Sequence, residues 1–422
     1  MNKTNNRTRL SDTFSKASDK ISNRSWFCLL ILSILIQIVR YHSNLFIPLV
    51  NEWSTQELAI DYSYGFIRRG LLGSFTHLIQ SSFHIDFLSA VVIVQNLGFV
   101  LFLIAFLLFI ARLLKNDQDK TFCFVVLVTI GLNLFGFELK MHGLFDTYIM
   151  FLTLLMVYLI ISDKALFLIP FLTGICVLIH EGYPMMYFGV IVALLLYRFC
   201  YSENRRSAFK YAVIFIITGL VVSMLFIYFY FIHPRIEDPD IDAILANVKK
   251  LLNEPTIDTS NFRYIWLDDE IIPNSNTAIN NMRIDGKLTA WFFKLIRVPI
   301  ANAIICGPLL YSTALFWLRI IKGERSRFRK AILFLSGSSV LLTLPIIVLH
   351  TDQARWFFDI FFFEITVIGT IYLLNFNKEQ NILAKICKIT IPKVLLVIFY
   401  YVFYWEQYIT IISQYYLPLV LF

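Results

Sequence analysis

Apolar residues in this chain come in long blocks rather than with the two-residue or 3.6-residue alternation of half-buried elements. A bilayer hydrocarbon core of ~30 Å needs about 20 consecutive apolar residues per helix. On that measure the sequence predicts about eleven such spans, near 26–48, 87–111, 121–137, 145–162, 165–180, 183–199, 211–232, 298–318, 331–349, 356–375 and 389–408. The block from Ala165 to Cys200 is too long for one span, and His180-Glu181-Gly182 divides it into a hairpin. Between the first two blocks, Ile67, Leu71, Phe75 and Leu78 recur at helical spacing, with Arg69, Thr76, His77 and Gln80 on the other side. That pattern predicts a helix over about 66–84 lying in the membrane interface. Further amphipathic helices are expected after Pro239, stopping near Pro255, and over 287–298 (KLTAWFFKLIRV).

The fold class expected is therefore all-α: a polytopic integral membrane bundle with interfacial helices in the first and the long outer loops. A basic tail, 1–25, precedes a single membrane domain, 26–422, and 233–290 forms an outer loop. Composition agrees, with 58% apolar and 16% aromatic residues in 422. The first span serves as its own insertion signal, since a polar tail precedes it and no small-residue cleavage site follows.

Charge orients the bundle. Lysines and arginines gather in alternate connections: the tail, Arg112 to Lys120, Lys164, Arg198 to Lys210, Arg319 to Lys330, and Lys378 to Lys388. Cytoplasmic connections carry such an excess, which predicts a cytoplasmic N-terminus; the abundance of Ile, Phe, Asn and Lys fits a bacterium of AT-rich genome, and hence a bacterial inner, or plasma, membrane location. The net charge of +8 then reflects topology, and nucleic acid is discarded as a partner. The six cysteines show no metal-ligand spacing and read as packing thiols.

The opposite connections carry the remaining chemistry. Asp61, Arg68 and Arg69 follow the first span; His142 and Asp146 open the fourth; His180 and Glu181 sit in the hairpin; His350, Asp352 and Arg355 precede the tenth. Ionisable groups near hydrocarbon cost about 2.5–3.5 kcal/mol each at mid-bilayer, so their recurrence on one side points to an outward-facing polar site. Asp61, His180 and Glu181 are the catalytic candidates, and Asp61 also suits a helix cap. Arg68, Arg69 and Arg355 suit phosphate, which guanidinium groups meet in bidentate fashion. His142, Asp146, His350 and Asp352 complete the substrate-binding set. Asp146 equally suits the start of a helix, and Asp352 a salt bridge to Arg355 three residues on. The acids of EDPDID (Glu237 to Asp242) invite a divalent metal, but they stand where a following helix favours negative charge, so no metal or other cofactor is called for.

This order of features resembles the GT-C superfamily of polyprenyl-phosphate-dependent membrane glycosyltransferases over about the first 200 residues: Asp61 in the first outer loop, the interfacial helix, Asp146 opening the fourth span, a charged next hairpin and a large outer loop. Lipid-linked polysaccharide polymerases of the O-antigen type look similar. The resemblance implies sugar transfer from a polyprenyl-linked donor to a glycan or lipid-linked acceptor at the outer face, in cell-surface polysaccharide biosynthesis. Asp61 would be the base or acceptor-orienting residue. The sequence departs from the pattern in having Tyr62, not a second acid, beside Asp61. A transporter or flippase for a lipid-linked sugar is the alternative, and its charges belong along a path through the membrane midplane.

Overall fold

The computed structural model describes residues 23–47, 52–116, 139, 142–232, 241–253, 314–345 and 353–374. Every regular element among them is helical. The expected spans near 121–137 and 389–408, the interfacial helix over 287–298, most of the span near 298–318, and both His350 and Asp352 lie outside the described residues.

In chain order the helices are α1 (Asn23–Arg40), α2 (Glu52–Leu58), α3 (Gly70–Phe83), α4 (Phe87–Asn116), α5 (Asp146–Ser162), α6 (Leu168–Ile179), α7 (Tyr183–Met186), α8 (Phe188–Cys200), α9 (Arg205–Ile227), α10 (Ile241–Leu252), α11 (314–323), α12 (Arg327–Ser338) and α13 (Gln353–Leu374). Two of these are long and apolar enough to cross a bilayer: α4 over Phe87–Lys115, and α9. The expected spans 145–162 and 165–180 contain α5 and α6, and the expected spans 331–349 and 356–375 overlap α12 and α13. The expected span 183–199 is divided into α7 and α8 at Tyr187, and α6 is only 12 residues long. At 1.5 Å per residue α6 covers about 18 Å, bounded by left-handed residues at Asp163 and Ala165 and by extended His180.

The helices run between two ends. At one end Asp163 accepts from Lys210 Nζ (2.8 Å) and from the hydroxyl of Tyr211, to which Arg198 Nε donates at 2.8 Å. Burial works to raise the carboxyl of Asp163, but Lys210, Tyr211 and Arg198 prevail and lower it. Cys200 lies against the carbonyl of Arg329 at the same end. At the other end Phe66 packs its ring on Tyr62, Tyr228 and Phe229, and Asn247 donates to the Tyr64 hydroxyl at 3.3 Å. The basic connections 163–164, 198–210 and 324–330 thus share one end, and the first loop and α10 share the other.

Polar and aromatic contacts knit the interior. Tyr148 donates to the Val94 carbonyl at 2.7 Å, joining α5 to α4, and Ser336 donates to that of Ala193 at 2.7 Å, joining α12 to α8. α13 stacks Phe362 on Phe102 and Tyr187 and buries Asp359 and Glu364, so this helix faces protein on its acidic side.

α3 occupies most of the segment expected to be an interfacial helix. Its inward face is Leu72, Thr76 and Ile79, while Leu78 and Phe83 are exposed. Thr76, assigned by spacing to the polar side, is buried because its hydroxyl is satisfied within the helix by the Leu72 carbonyl. Gly73 lets α3 touch the preceding loop: a Cβ there would fall 1.7 Å from the Ile60 carbonyl oxygen.

Candidate functional site

The first loop and the 180–182 hairpin meet in one ionic cluster. Residues 54–60 are buried along their length, so the chain carries Glu57 into the protein at the end of α2. Arg69 enters α3 in the left-handed conformation (φ 61°), which costs an L-residue about 1–2 kcal/mol. Three charge-assisted bonds offset that strain. Its Nε and Nη2 each donate at 2.7 Å to the two oxygens of Glu181, and its Nη1 donates to Glu57. The two carboxylates engage the fork that Arg69 would otherwise turn toward a phosphate.

Arg68 stands at the edge of this system. Its Nη1 lies 4.0 Å from Glu181 Oε1, with 15% of the side chain exposed. Burial alone would raise the carboxyl of Glu181, but the Arg69 guanidinium, with Arg68 behind it, holds it well below the usual carboxylate range. Glu181 is therefore a fixed anion and a poor proton acceptor. His180 is buried, and its Nδ1 accepts the Gly182 backbone N–H at 2.9 Å. That bond requires a lone pair on Nδ1, so the 3.8 Å approach of Nδ1 to Glu181 is no salt bridge; a neutral ring carries its proton on Nε2.

Asp61 stands apart from this cluster. It is partly exposed and caps the single turn Tyr62–Tyr64, its Oδ1 accepting from the Ser63 N–H at 2.9 Å and from the Ser63 hydroxyl. Ser74 Oγ accepts the N–H of Tyr62, and burial pushes the Tyr62 phenol up to about 12.

His142 and Asp146 are both buried at the start of α5. Asp146 is the first residue of the helix, where negative charge is favoured. Burial holds His142 down at about 4, so it is neutral near pH 7. Arg355 belongs to α13; its side chain, like His350 and Asp352, lies outside the described residues.

The structure adds three residues the sequence reading left out: Glu57, Thr55 and Gln95. Gln95 Nε2 donates to Thr55 Oγ1 at 3.3 Å, and Thr55 and Glu57 are two residues apart on α2. The available signal was a polar run, Ser54 to Glu57, followed by the apolar Leu58-Ala59-Ile60, without a period to mark the run as buried. Among the described residues no group of His, Cys, Asp and Glu has the arrangement to hold a metal ion. No family model, curated protein or solved structure matches the chain.

Proposed function

We propose that the chain is a polytopic membrane glycosyltransferase of the GT-C type, with about eleven spans, transferring a sugar from a polyprenyl-linked donor to a glycan or lipid-linked acceptor at the outer face of a bacterial inner membrane. The observation that carries this reading is the buried cluster Glu57, Arg69 and Glu181, with Arg68 and His180 beside it. Two separate outer connections are tied together there, around two guanidinium groups whose side chains are only 15% (Arg68) and 12% (Arg69) exposed. Burying that much charge is expensive and rarely serves stability alone.

In the proposed reaction Asp61 accepts the proton of the acceptor hydroxyl, whose oxygen bonds to the anomeric carbon of the donor. The bond from that carbon to the phosphate oxygen breaks, and the phosphate leaves with the electron pair. Arg68 stabilises the departing charge. Glu181 and Glu57 hold Arg69 and thereby set the position of Arg68. The donor carries its own leaving group, so no nucleotide is needed outside the cell.

Membranes from expressing cells, supplied with radiolabelled polyprenyl phosphate sugars, test the reaction. Transfer should depend on the protein and fall about tenfold or more in Arg68→Ala. Arg68→Lys should restore it only in part, because an ammonium cannot make the bidentate contact. Equal transfer in wild type and Arg68→Ala would remove Arg68 from the mechanism. The flippase alternative draws on Asp359 and Glu364, buried within α13. It predicts that label crosses the vesicle wall without being transferred.

The sidedness is tested separately. In a background with the native cysteines replaced, Ala246→Cys in α10 and Arg325→Cys before α12 are both exposed. An impermeant maleimide on intact cells should label the first and spare the second. The opposite pattern inverts the arrangement.

A further inference from the structure

We propose that His142 is a hydroxyl-recognising position for the sugar ring of the substrate whose phosphate is met at Arg68; this rests on the lipid-linked-sugar reading above. The imidazole is buried at the start of α5, edge-on to Phe99 with ring centroids 6.1 Å apart, and its Nε2 is sealed from solvent with no hydrogen-bond partner among the described residues. A buried polar atom without a partner is a standing cost that a ligand or an ordered water relieves.

The surroundings narrow the ligand. Gly143 has φ 103°, and its backbone lies so close to the Gln95 amide that a Cβ would come 2.5 Å from Nε2. Gln95 in turn bonds Thr55, so one side chain connects the backbone beside His142 to the short helix that carries Glu57. Neutral imidazole and amide on an aromatic wall suit an uncharged ligand group. A hydroxyl both donates and accepts, and therefore completes the imidazole in either tautomer. With phosphate at Arg68 and a ring hydroxyl at His142, α2 links the two neighbourhoods, through Thr55 to Gln95 and through Glu57 to Arg69.

The test uses the purified full chain in detergent, with the methyl glycosides of glucose, galactose, mannose and N-acetylglucosamine as probes, followed by saturation-transfer difference NMR. At least one glycoside should receive saturation from the wild type. His142→Phe should weaken that binding about tenfold, the worth of one good hydrogen bond. His142→Gln, whose amide reaches a similar position, should stay within about threefold. Should His142→Phe not fold, His142→Asn, which keeps the polarity and withdraws the reach, carries the same comparison. Arg68→Ala should leave glycoside binding unchanged, because these probes carry no phosphate. Absence of saturation in the wild type, or equal binding by the wild type and the folded His142 variants, would mean that the position holds water only, and would overturn the proposal. Loss of transfer in Arg68→Ala with glycoside binding intact leaves both readings standing. Glycoside binding that depends on His142, in a protein whose transfer ignores Arg68, sinks the phosphate assignment alone.

Discussion

Arg69→Ala is expected to destabilise the protein by about 3–5 kcal/mol, the usual consequence of removing one partner from a buried ion pair. Glu57 and Glu181 would both remain buried, and the left-handed entry to α3 would lose the bonds that offset its strain. Thermal melting in detergent, read by circular dichroism or size-exclusion, measures the loss. Replacing Glu57, Arg69 and Glu181 together with methionine should recover most of the melting temperature while transfer stays absent, since an apolar substitute for the whole buried group removes the desolvation cost along with the attraction. If the triple variant melts as low as Arg69→Ala, the cluster supports folding in some way beyond its charge balance. Acid should not mimic Arg69→Ala until strongly low pH. The Glu181 carboxyl is held below its ordinary value near 4.5, so its contribution is complete above that value and is lost only as pH falls through the depressed one. Between pH 7 and 4.5 the Glu181 contribution to the melting curve should be flat.

Asp61→Asn should lower transfer by a factor on the order of 10² while leaving the melting temperature nearly unchanged. Asparagine is as good a cap as aspartate, and its carbonyl oxygen can still accept from the Ser63 N–H, so the turn Tyr62–Tyr64 survives and only the ionisable base is lost. Asp61→Ala removes both and should lower transfer and stability together. Transfer at the wild-type rate by Asp61→Asn would make Asp61 a cap alone and shift the search for a base to the other acids at this end of the bundle.

The helices among the described residues and the two ends are readable from the sequence because hydrophobic blocks and charged connections are strong, local signals. The same blocks overstate how far each helix extends. Ala165 to Cys200 reads as two full spans, yet α6 stops at 12 residues and Tyr187 separates α7 from α8. Hydropathy averages over a window, whereas a helix ends where individual dihedrals turn, as at Asp163 and His180. The site was legible as a list of residues but not as partnerships. Arg68 and Arg69 are adjacent and chemically alike in sequence, and only the left-handed backbone at Arg69 gives one of them to two carboxylates and leaves the other at the edge. Glu57 was out of reach for a related reason: its partner lies twelve residues on, across a turn, and a third member, Glu181, comes from a distant hairpin.

The first loop is fastened unequally along its length. At Arg69 it is riveted to the hairpin by short, directional bonds that tolerate little displacement before they break. At Phe66, three residues earlier, it leans on Tyr62, Tyr228 and Phe229 through tilted rings 5.4 to 5.6 Å apart. Ring contacts of that kind slide with little loss. The loop is therefore a lever with its pivot at the arginine, and the compliant end is the aromatic one, where the exposed Phe66 and the π-helical turn Tyr228–Ile232 lie side by side.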